Sequence, residues 1–116
     1  MPLNIVYLDD EIGLCEMFED NFATEDVRIR TFVDPEMAIR EIVKNPPDLV
    51  FLDYRLPNTT GELVAQKIDR SIPIALISGD LNAKPSGLFL KLFPKPFDFA
   101  KMEEFIQSYL DRKLVA

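Results

Sequence analysis

The chain begins with LNIVYLDD at residues 3–10, a short and mostly apolar run that ends in two acids. A second run of this kind, DLVFLD, occupies residues 48–53 and also ends in an acid. Strands inside a parallel sheet are continuous apolar runs, because both of their faces are covered. We therefore predict two central strands that bring acidic side chains to one edge of a sheet.

Further strands and helices follow in alternation along the chain. Residues 27–32 alternate apolar with basic, which is typical of an edge strand with one wet side. Two later apolar runs, 72–77 and 90–93, complete a set of five strands. The helical period of 3.6 residues predicts these inward faces: Leu14, Met17, Phe18 and Phe22; Ala38, Ile39, Ile42 and Val43; Leu63, Val64 and Ile68; and Met102, Phe105, Ile106, Tyr109 and Leu110.

This alternation predicts the fold class. Strand and helix in turn imply right-handed βαβ crossovers, and hence an α/β fold with a doubly wound, five-stranded parallel sheet. The length of 116 residues fits one domain, residues 1–116. In such sheets a functional site lies beyond the carboxyl ends of the strands.

Composition and charge exclude several kinds of function. The net charge of −7 argues against a surface for nucleic acid or for anionic membranes, since both draw on clustered Lys and Arg. Cys15 is the single cysteine, so an internal disulfide is excluded, and no leader-like segment opens the chain. We therefore expect a cytoplasmic protein. The absence of histidine removes His-based catalysis and His-ligated metals.

Acidic, hydroxyl and basic side chains follow four of the predicted strands. Asp9 and Asp10 follow the first, Asp53 the third, Ser78 the fourth and Lys95 the fifth. Carboxylates so close together repel one another unless a cation neutralises them, and Mg²⁺ suits few carboxylates completed by water and phosphate. A lysine and a hydroxyl nearby would suit a phosphoryl group in transfer, with an aspartate as nucleophile.

The order and spacing of these residues resemble those of a known family, the receiver domains of two-component response regulators. The resemblance covers essentially the whole chain and implies the flavodoxin-like strand order 2-1-3-4-5. It rests on these motifs: Leu8-Asp9-Asp10-Glu11, Phe51-Leu52-Asp53, Leu56-Pro57, Gly61, Ser78-Gly79 and Lys95-Pro96-Phe97.

The resemblance implies roles for the acidic residues. Asp53 resembles the phosphoacceptor of the family. Asp9 and Asp10 resemble its Mg²⁺-binding pair, Asp10 in direct contact and Asp9 through water, and the backbone carbonyl of Arg55 would be a further ligand. The implied reaction is the transfer of a phosphoryl group to Asp53 from a sensor histidine kinase or a histidine phosphotransfer protein, followed by hydrolysis.

The resemblance also implies roles outside the acidic cluster. Lys95 resembles the lysine that pairs with the phosphoacceptor and then with its phosphate, and the family has a cis peptide before the position of Pro96. Ser78 resembles the switch hydroxyl that hydrogen-bonds the phosphoryl group, and Gly79 leaves room for the donor. The chain would thus catalyse only its own phosphorylation and dephosphorylation.

Two features depart from the family pattern. The segment between Ser78 and Lys95 is shorter than is usual and contains Pro85 and Gly87, which disfavour a helix interior. We therefore expect the fourth helix of the family to be shortened or missing, and phosphorylation to order residues 79–89. Leu92 occupies the position where receivers commonly carry the mobile aromatic residue, and the neighbouring Phe93 should point to the opposite face of its strand.

Alternatives from other classes remain open. Each site residue has an ordinary explanation when taken alone, such as a helix cap, a turn or a solvated lysine. The chain could be a receiver-like interaction module that works without phosphate. An aspartate-nucleophile phosphohydrolase is disfavoured, since Arg55 stands where such enzymes carry a second acid, two residues after the nucleophile. The sequence identifies neither the cognate kinase nor the downstream target.

Overall fold

The computed structural model describes residues 1–80 and 86–115. The strands are β1 (Leu3–Leu8), β2 (Val27–Phe32), β3 (Leu49–Asp53), β4 (Arg55–Leu56), β5 (Thr59–Thr60), β6 (Ile74–Ser78) and β7 (Lys91–Pro94). The helices are α1 (Ile12–Phe22), α2 (Pro35–Lys44), α3 (Gly61–Ala65) and α4 (Phe99–Val115). None of the helices in the described ranges is long and apolar enough to span a membrane.

Five strands form one parallel sheet in the order β2-β1-β3-β6-β7. This is the predicted strand order 2-1-3-4-5, with β6 and β7 as the fourth and fifth strands of the sheet, so the predicted fold class is confirmed. The prediction of an edge strand at residues 27–32 is also confirmed, because β2 lies at one margin. The short strands β4 and β5 pair separately as an antiparallel hairpin just after β3.

Helices cover both faces of the sheet and enclose two layers of core. One layer joins apolar residues of α1 and α4 to the sheet, and the other joins residues of α2 and α3 to the opposite face. The buried helical residues are Cys15, Phe18 and Phe22 in α1, Ala38 and Ile42 in α2, Val64 and Ala65 in α3, and Met102, Ile106 and Leu110 in α4. Both faces of the sheet are thus shielded from water, whereas its margins and strand ends are not.

The predicted inward faces were wrong at three helical positions. Met17, Val43 and Leu63 are 41%, 69% and 49% exposed. Each is next in sequence to a buried residue and lies about 100° around the helix from it, beyond the stripe that the sheet covers. Sequence periodicity marks the apolar side of a helix but does not show how wide a stripe the sheet will cover.

Side-chain caps begin three of the helices. The Asp34 side chain accepts a hydrogen bond from the Met37 amide at the start of α2, where Pro35 takes the first helical position. Asp98 likewise accepts from the Lys101 amide at the start of α4. Thr60 accepts from the Leu63 amide before α3. These caps satisfy backbone donors that a helix leaves unpaired.

The connection between β6 and β7 is the segment where a shortened or missing helix was predicted. Its described residues, 79–80 and 86–90, form turns, bends and irregular chain, and the fourth helix of the described chain is the C-terminal α4. Residues 81–85 lie outside the described residues, so the expected ordering of residues 79–89 stays a prediction. Leu92 and Phe93 of β7 belong to opposite core layers, as expected from strand alternation.

Both margins of the sheet carry basic side chains. In β2, Arg28 is exposed, and Arg30 donates a hydrogen bond to the Asn45 carbonyl at 2.7 Å. In β7, Lys91 is exposed and its Nζ lies 6.0 Å from the centre of the Phe93 ring, and Pro94 lacks a backbone donor. Charges and proline are common features of strands that end a sheet.

Gly61, the first residue of α3, packs directly against the end of β3. A Cβ atom at this position would lie 2.6 Å from the backbone oxygen of Asp53 and 3.0 Å from the Cδ1 of Leu76. The Gly61 amide also donates to the Tyr54 carbonyl at 2.8 Å. The absence of a side chain therefore allows α3 to approach the backbone of Asp53 closely.

We predict that Gly61→Ala destabilises the protein by about 1 to 3 kcal/mol, because the backbone of Asp53 or α3 must shift to admit the methyl group. Gly13→Ala is the matched control, since a Cβ there meets nothing within 4 Å on an exposed turn of α1. It should leave stability unchanged or raise it by up to about 1 kcal/mol. Urea unfolding checks both, and equal midpoints for the two variants would contradict the prediction.

Candidate functional site

The carboxyl ends of four strands open into one cleft. In the sheet, Leu8 pairs with Leu52, Asp53 with Ile77, and Ser78 with Pro94, so the residues after these positions share one edge. The cleft has a volume of about 700 Å³. It is lined by Asp10, Glu11, Asp53, Tyr54, Arg55, Ser78, Gly79, Asp80 and Lys95. Five of the six residues predicted for the site therefore line one cavity, and Asp9 lies beneath it.

Asp9 is a fully buried carboxylate at the floor of the site. Its Oδ1 accepts a hydrogen bond from the Glu11 amide at 3.0 Å. Its Oδ2 accepts one from the Tyr7 hydroxyl at 2.9 Å and lies 3.4 Å from the Nζ of Lys95. A buried charge is costly unless it is paired and hydrogen-bonded, and Asp9 has both kinds of partner.

Lys95 joins the end of β7 to the acidic residues. Its Nζ lies 3.1 Å from the Oδ1 of Asp53, closer than its 3.4 Å from Asp9. The Lys95 amide donates to the carbonyl of Ser78, and the Lys95-Pro96 peptide bond is cis, as expected. The lysine side chain is 24% exposed, so one ammonium group faces two carboxylates near the surface of the cleft.

Three carboxylates form a group that could hold a metal ion. Asp9, Asp10 and Asp53 each offer an oxygen, and these oxygens lie within 4.8 Å of one another. Asp9 and Asp53 are buried, whereas Asp10 is exposed on the cleft side. A cation at this point would therefore be held by two buried carboxylates and one exposed carboxylate.

Ser78, Asp80 and Arg55 form the opposite wall of the cleft. Ser78 is 4% exposed, and its Oγ accepts from the Asp80 amide at 3.0 Å in the turn around Gly79. The side chains of Arg55 and Asp80 lie 4.0 Å apart at the mouth. An exposed pair of this kind contributes little to stability. The hydroxyl, in contrast, lies at the end of a buried strand.

The acidic cluster shifts the pKa values of its members. Burial, and then the charge of Asp9, raise the pKa of Asp53 to about 6, against the opposing effect of Lys95. Burial lowers the pKa of Lys95, but its contacts with Asp53 and Asp9 outweigh this and raise it overall. Burial and the Asp9 charge also raise the pKa of Cys15 to about 11, and that of Tyr7 far above its usual range. Cys15 is thus an unreactive core residue.

Sequence reasoning missed Tyr7 and Tyr54. Tyr54 lines the cleft directly after Asp53, and Tyr7 donates to Asp9 from within the core. The signal for Tyr7 was available, since residues two apart along a strand project to the same face. It was treated as part of an apolar run because tyrosine is a common core residue in strands.

The arrangement offers the groups that a transferring phosphoryl group requires. Asp53 supplies an oxygen nucleophile, Lys95 a positive charge, and Ser78 a hydroxyl on the far wall. The neighbouring carboxylates offer hard oxygen ligands for a divalent cation. Transfer of this kind depends on positioning and charge neutralisation rather than on acid-base chemistry, which agrees with a chain that lacks histidine.

Comparison with known proteins gives a family-level match. A family model described as the response regulator receiver domain matches residues 5–107. The chain is 27% identical to the sporulation initiation phosphotransferase F of Bacillus subtilis (strain 168), over 97% of this chain and 98% of that protein. It is 30% identical to the probable transcriptional regulator ycf27 of Galdieria sulphuraria over 93% of this chain, but spans only 45% of that protein.

Solved structures agree at the level of the fold. The signal receiver domain of an HD domain-containing protein from Pseudomonas fluorescens Pf-5 matches with a TM-score of 0.87 at 17% identity, over all of both chains. A response regulator receiver domain protein from Methanospirillum hungatei JF-1 matches with a TM-score of 0.85 at 16% identity, over 97% of this chain and 96% of that one. At these identities the likeness shows the fold alone.

We predict that Asp53→Asn changes the free energy of unfolding of the metal-free protein differently at two pH values. The change should be more favourable at pH 7.5 than at pH 4, by on the order of 2 kcal/mol. Because the folded protein holds the Asp53 proton up to a pKa of about 6, its stability falls as pH rises from about 4 to 6. Asparagine has no proton to lose and escapes this penalty.

Chemical unfolding in the presence of a chelator at the two pH values measures the effect. Asp20→Asn, on the exposed side of α1, is the control and should show the same change at both. A difference between wild type and Asp53→Asn that does not depend on pH would contradict the raised pKa.

Proposed function

Because this chain belongs to the response regulator receiver domain family, whose members accept phosphoryl groups in two-component signal transduction, we propose that Asp53 is its phosphoacceptor. The observation that carries the proposal is the pairing of Asp53 with Lys95 at 3.1 Å, inside a cleft that Ser78 also lines. A structural aspartate at a turn would not need a lysine from a strand two positions away in the sheet. The chain would act by changing its own phosphorylation state and would catalyse no other reaction.

The donor set fits a magnesium ion. The oxygens of Asp9, Asp10 and Asp53 are hard ligands within 4.8 Å of one another, and they outnumber the single lysine that faces them. We propose that these three residues hold Mg²⁺, with the carbonyl of Arg55 as a further ligand. When bound, the ion supplies positive charge to the oxygens of the phosphoryl group.

The side chains of this chain then have separate tasks in the transfer. One oxygen of Asp53 is held by Lys95, which leaves the other to attack the phosphorus of a phosphohistidine. The new O–P bond forms as the P–N bond breaks, and the histidine ring leaves with the bonding electrons. Lys95 moves its contact from the carboxylate to the phosphoryl oxygens, and Ser78 donates a hydrogen bond to them. Water later cleaves the acyl phosphate and restores Asp53.

The phosphodonor would be a sensor histidine kinase or a histidine phosphotransfer protein. The family supports this class of partner, and so does the similarity to a Bacillus subtilis protein that is named a phosphotransferase. The cytoplasmic location and the absence of nucleic-acid partners expected from the sequence stay predictions, as does the downstream target.

We predict that the protein gains one phosphoryl group when it is incubated with Mg²⁺ and acetyl phosphate, and that Asp53→Asn gains none. Intact mass spectrometry measures the gain, and omission of Mg²⁺ should suppress it. Asp48→Asn is the matched control, because Asp48 directly precedes the same strand at its opposite end. It should be labelled like the wild type.

Phosphorylation of the Asp53→Asn variant would show that another residue is the phosphoacceptor. No labelling of the wild type, under conditions that label an unrelated receiver domain, would favour the alternative of an interaction module that works without phosphate.

A further inference from the structure

Tyr7 lies directly beneath the site and is the last aromatic residue of β1. It is fully buried, as is Asp9, and its hydroxyl donates to the Oδ2 of Asp9 at 2.9 Å. The two residues are separated by one position in the chain, so they project to the same side of the strand. The hydroxyl therefore reaches the acidic cluster from the core side, away from solvent.

The ring of Tyr7 is held on two sides. It stacks on Phe18 of α1, with ring centres 4.3 Å apart, and meets the edge of Phe97 at 6.3 Å. Phe97 follows Lys95 by two residues, so the segment that carries the lysine also packs against this ring. Packing on both sides fixes the position of the hydroxyl, because the ring cannot turn without displacing one of these neighbours.

The contacts of Asp9 show what the hydroxyl does. One carboxylate oxygen, Oδ2, receives both the Tyr7 hydroxyl and the Lys95 ammonium, and the other receives the amide of Glu11. An ionised carboxylate has about four acceptor positions, so these three donors fix its rotation and leave one position on Oδ1. Without the hydroxyl, Lys95 would be the only remaining donor to Oδ2 among these contacts.

Lys95 is shared between two acids, and the Tyr7 hydroxyl affects how it is shared. Its Nζ lies 3.1 Å from Asp53 and 3.4 Å from Asp9. A buried carboxylate that loses a neutral donor draws more strongly on the remaining cation, because its charge is then less well compensated. Loss of the hydroxyl should thus pull Lys95 towards Asp9 and away from Asp53.

We propose that Tyr7 is a positioning residue, whose hydroxyl fixes the orientation of Asp9 towards the cation and leaves Lys95 available to Asp53. This inference rests on the proposed function and adds a residue to it. The opposing explanation is that the hydroxyl only satisfies its own hydrogen-bonding need inside the core. The two explanations differ in cation affinity rather than in stability.

Tyr7→Phe tests the proposal, because it removes the hydroxyl and keeps the ring between Phe18 and Phe97. We expect the dissociation constant for Mg²⁺, measured by calorimetry on the unphosphorylated protein, to rise about tenfold, as is typical when a residue that orients a ligand is lost. Tyr109→Phe is the matched control, since this half-buried tyrosine packs on Phe105 and Arg112 in α4. It should leave the Mg²⁺ affinity unchanged.

Phosphorylation by acetyl phosphate provides a second readout. In Tyr7→Phe, the Mg²⁺ concentration for half-maximal rate should rise with the dissociation constant, while the rate at saturating Mg²⁺ falls much less. A role in stability alone would lower the unfolding midpoint and leave both Mg²⁺ constants as in the wild type. That result would overturn the proposal.

If Tyr7→Phe fails to fold, the native protein still decides the question. The hydroxyl proton of Tyr7 should exchange slowly enough to give an NMR signal that shifts when Mg²⁺ is added, and Asp9→Asn should abolish that shift. A signal unaffected by Mg²⁺ in the native protein would overturn the proposal. If the wild type itself binds no Mg²⁺, the proposed cation site is wrong. If the wild type and Tyr7→Phe bind Mg²⁺ equally well, the cation site stands and only the proposed role of Tyr7 is wrong.

Discussion

The ammonium group of Lys95 lies between two buried carboxylates, 3.1 Å from Asp53 and 3.4 Å from Asp9, and the charge balance of the site depends on this contact. Parallel topology brings the acids together whether or not their charges are compensated. Burial raises the pKa of Asp53, and the negative charge of Asp9 raises it further, so the cluster opposes its own ionisation. One lysine offsets only part of this repulsion. The negative charge that remains uncompensated is the physical basis for the cation site proposed above.

The neighbouring structure holds this crowded set of charges in place through small and specific contacts. Gly61 lets α3 approach the backbone of Asp53 closely. The amide of Glu11 and the hydroxyl of Tyr7 hold Asp9 from below. The groups that make these contacts, a backbone amide, a hydroxyl and a glycine, are all uncharged. Neutral groups can orient the acids without reducing the attraction of the site for cations.

The sequence predicted the gathering of acids, serine and lysine at one edge, because these residues follow apolar runs that form parallel strands, and the strand order was expected from the family resemblance. It did not predict that Met17, Val43 and Leu63 would face solvent, since the width of each covered stripe depends on how the helices pack. It also treated Tyr7 as core, because the role of a buried hydroxyl depends on its distance to an acid that only the fold defines. Local pattern determines which element a residue belongs to, whereas the partner of a buried polar atom is a property of tertiary structure.

The two margins of the sheet have a consequence for how this domain behaves at high concentration. A row of unpaired backbone groups on an exposed strand is a template onto which another chain can add. Here Arg28 and Arg30 lie on one marginal strand, and Lys91 and Pro94 lie on the other. The basic side chains of an approaching copy would repel those of either margin, and Pro94 offers no backbone N–H for a hydrogen bond. Growth of the sheet from one molecule into the next is thereby discouraged. Copies of this domain at high concentration, or domains beside it in one chain, should therefore have little tendency to form fibrils by pairing with its edge strands.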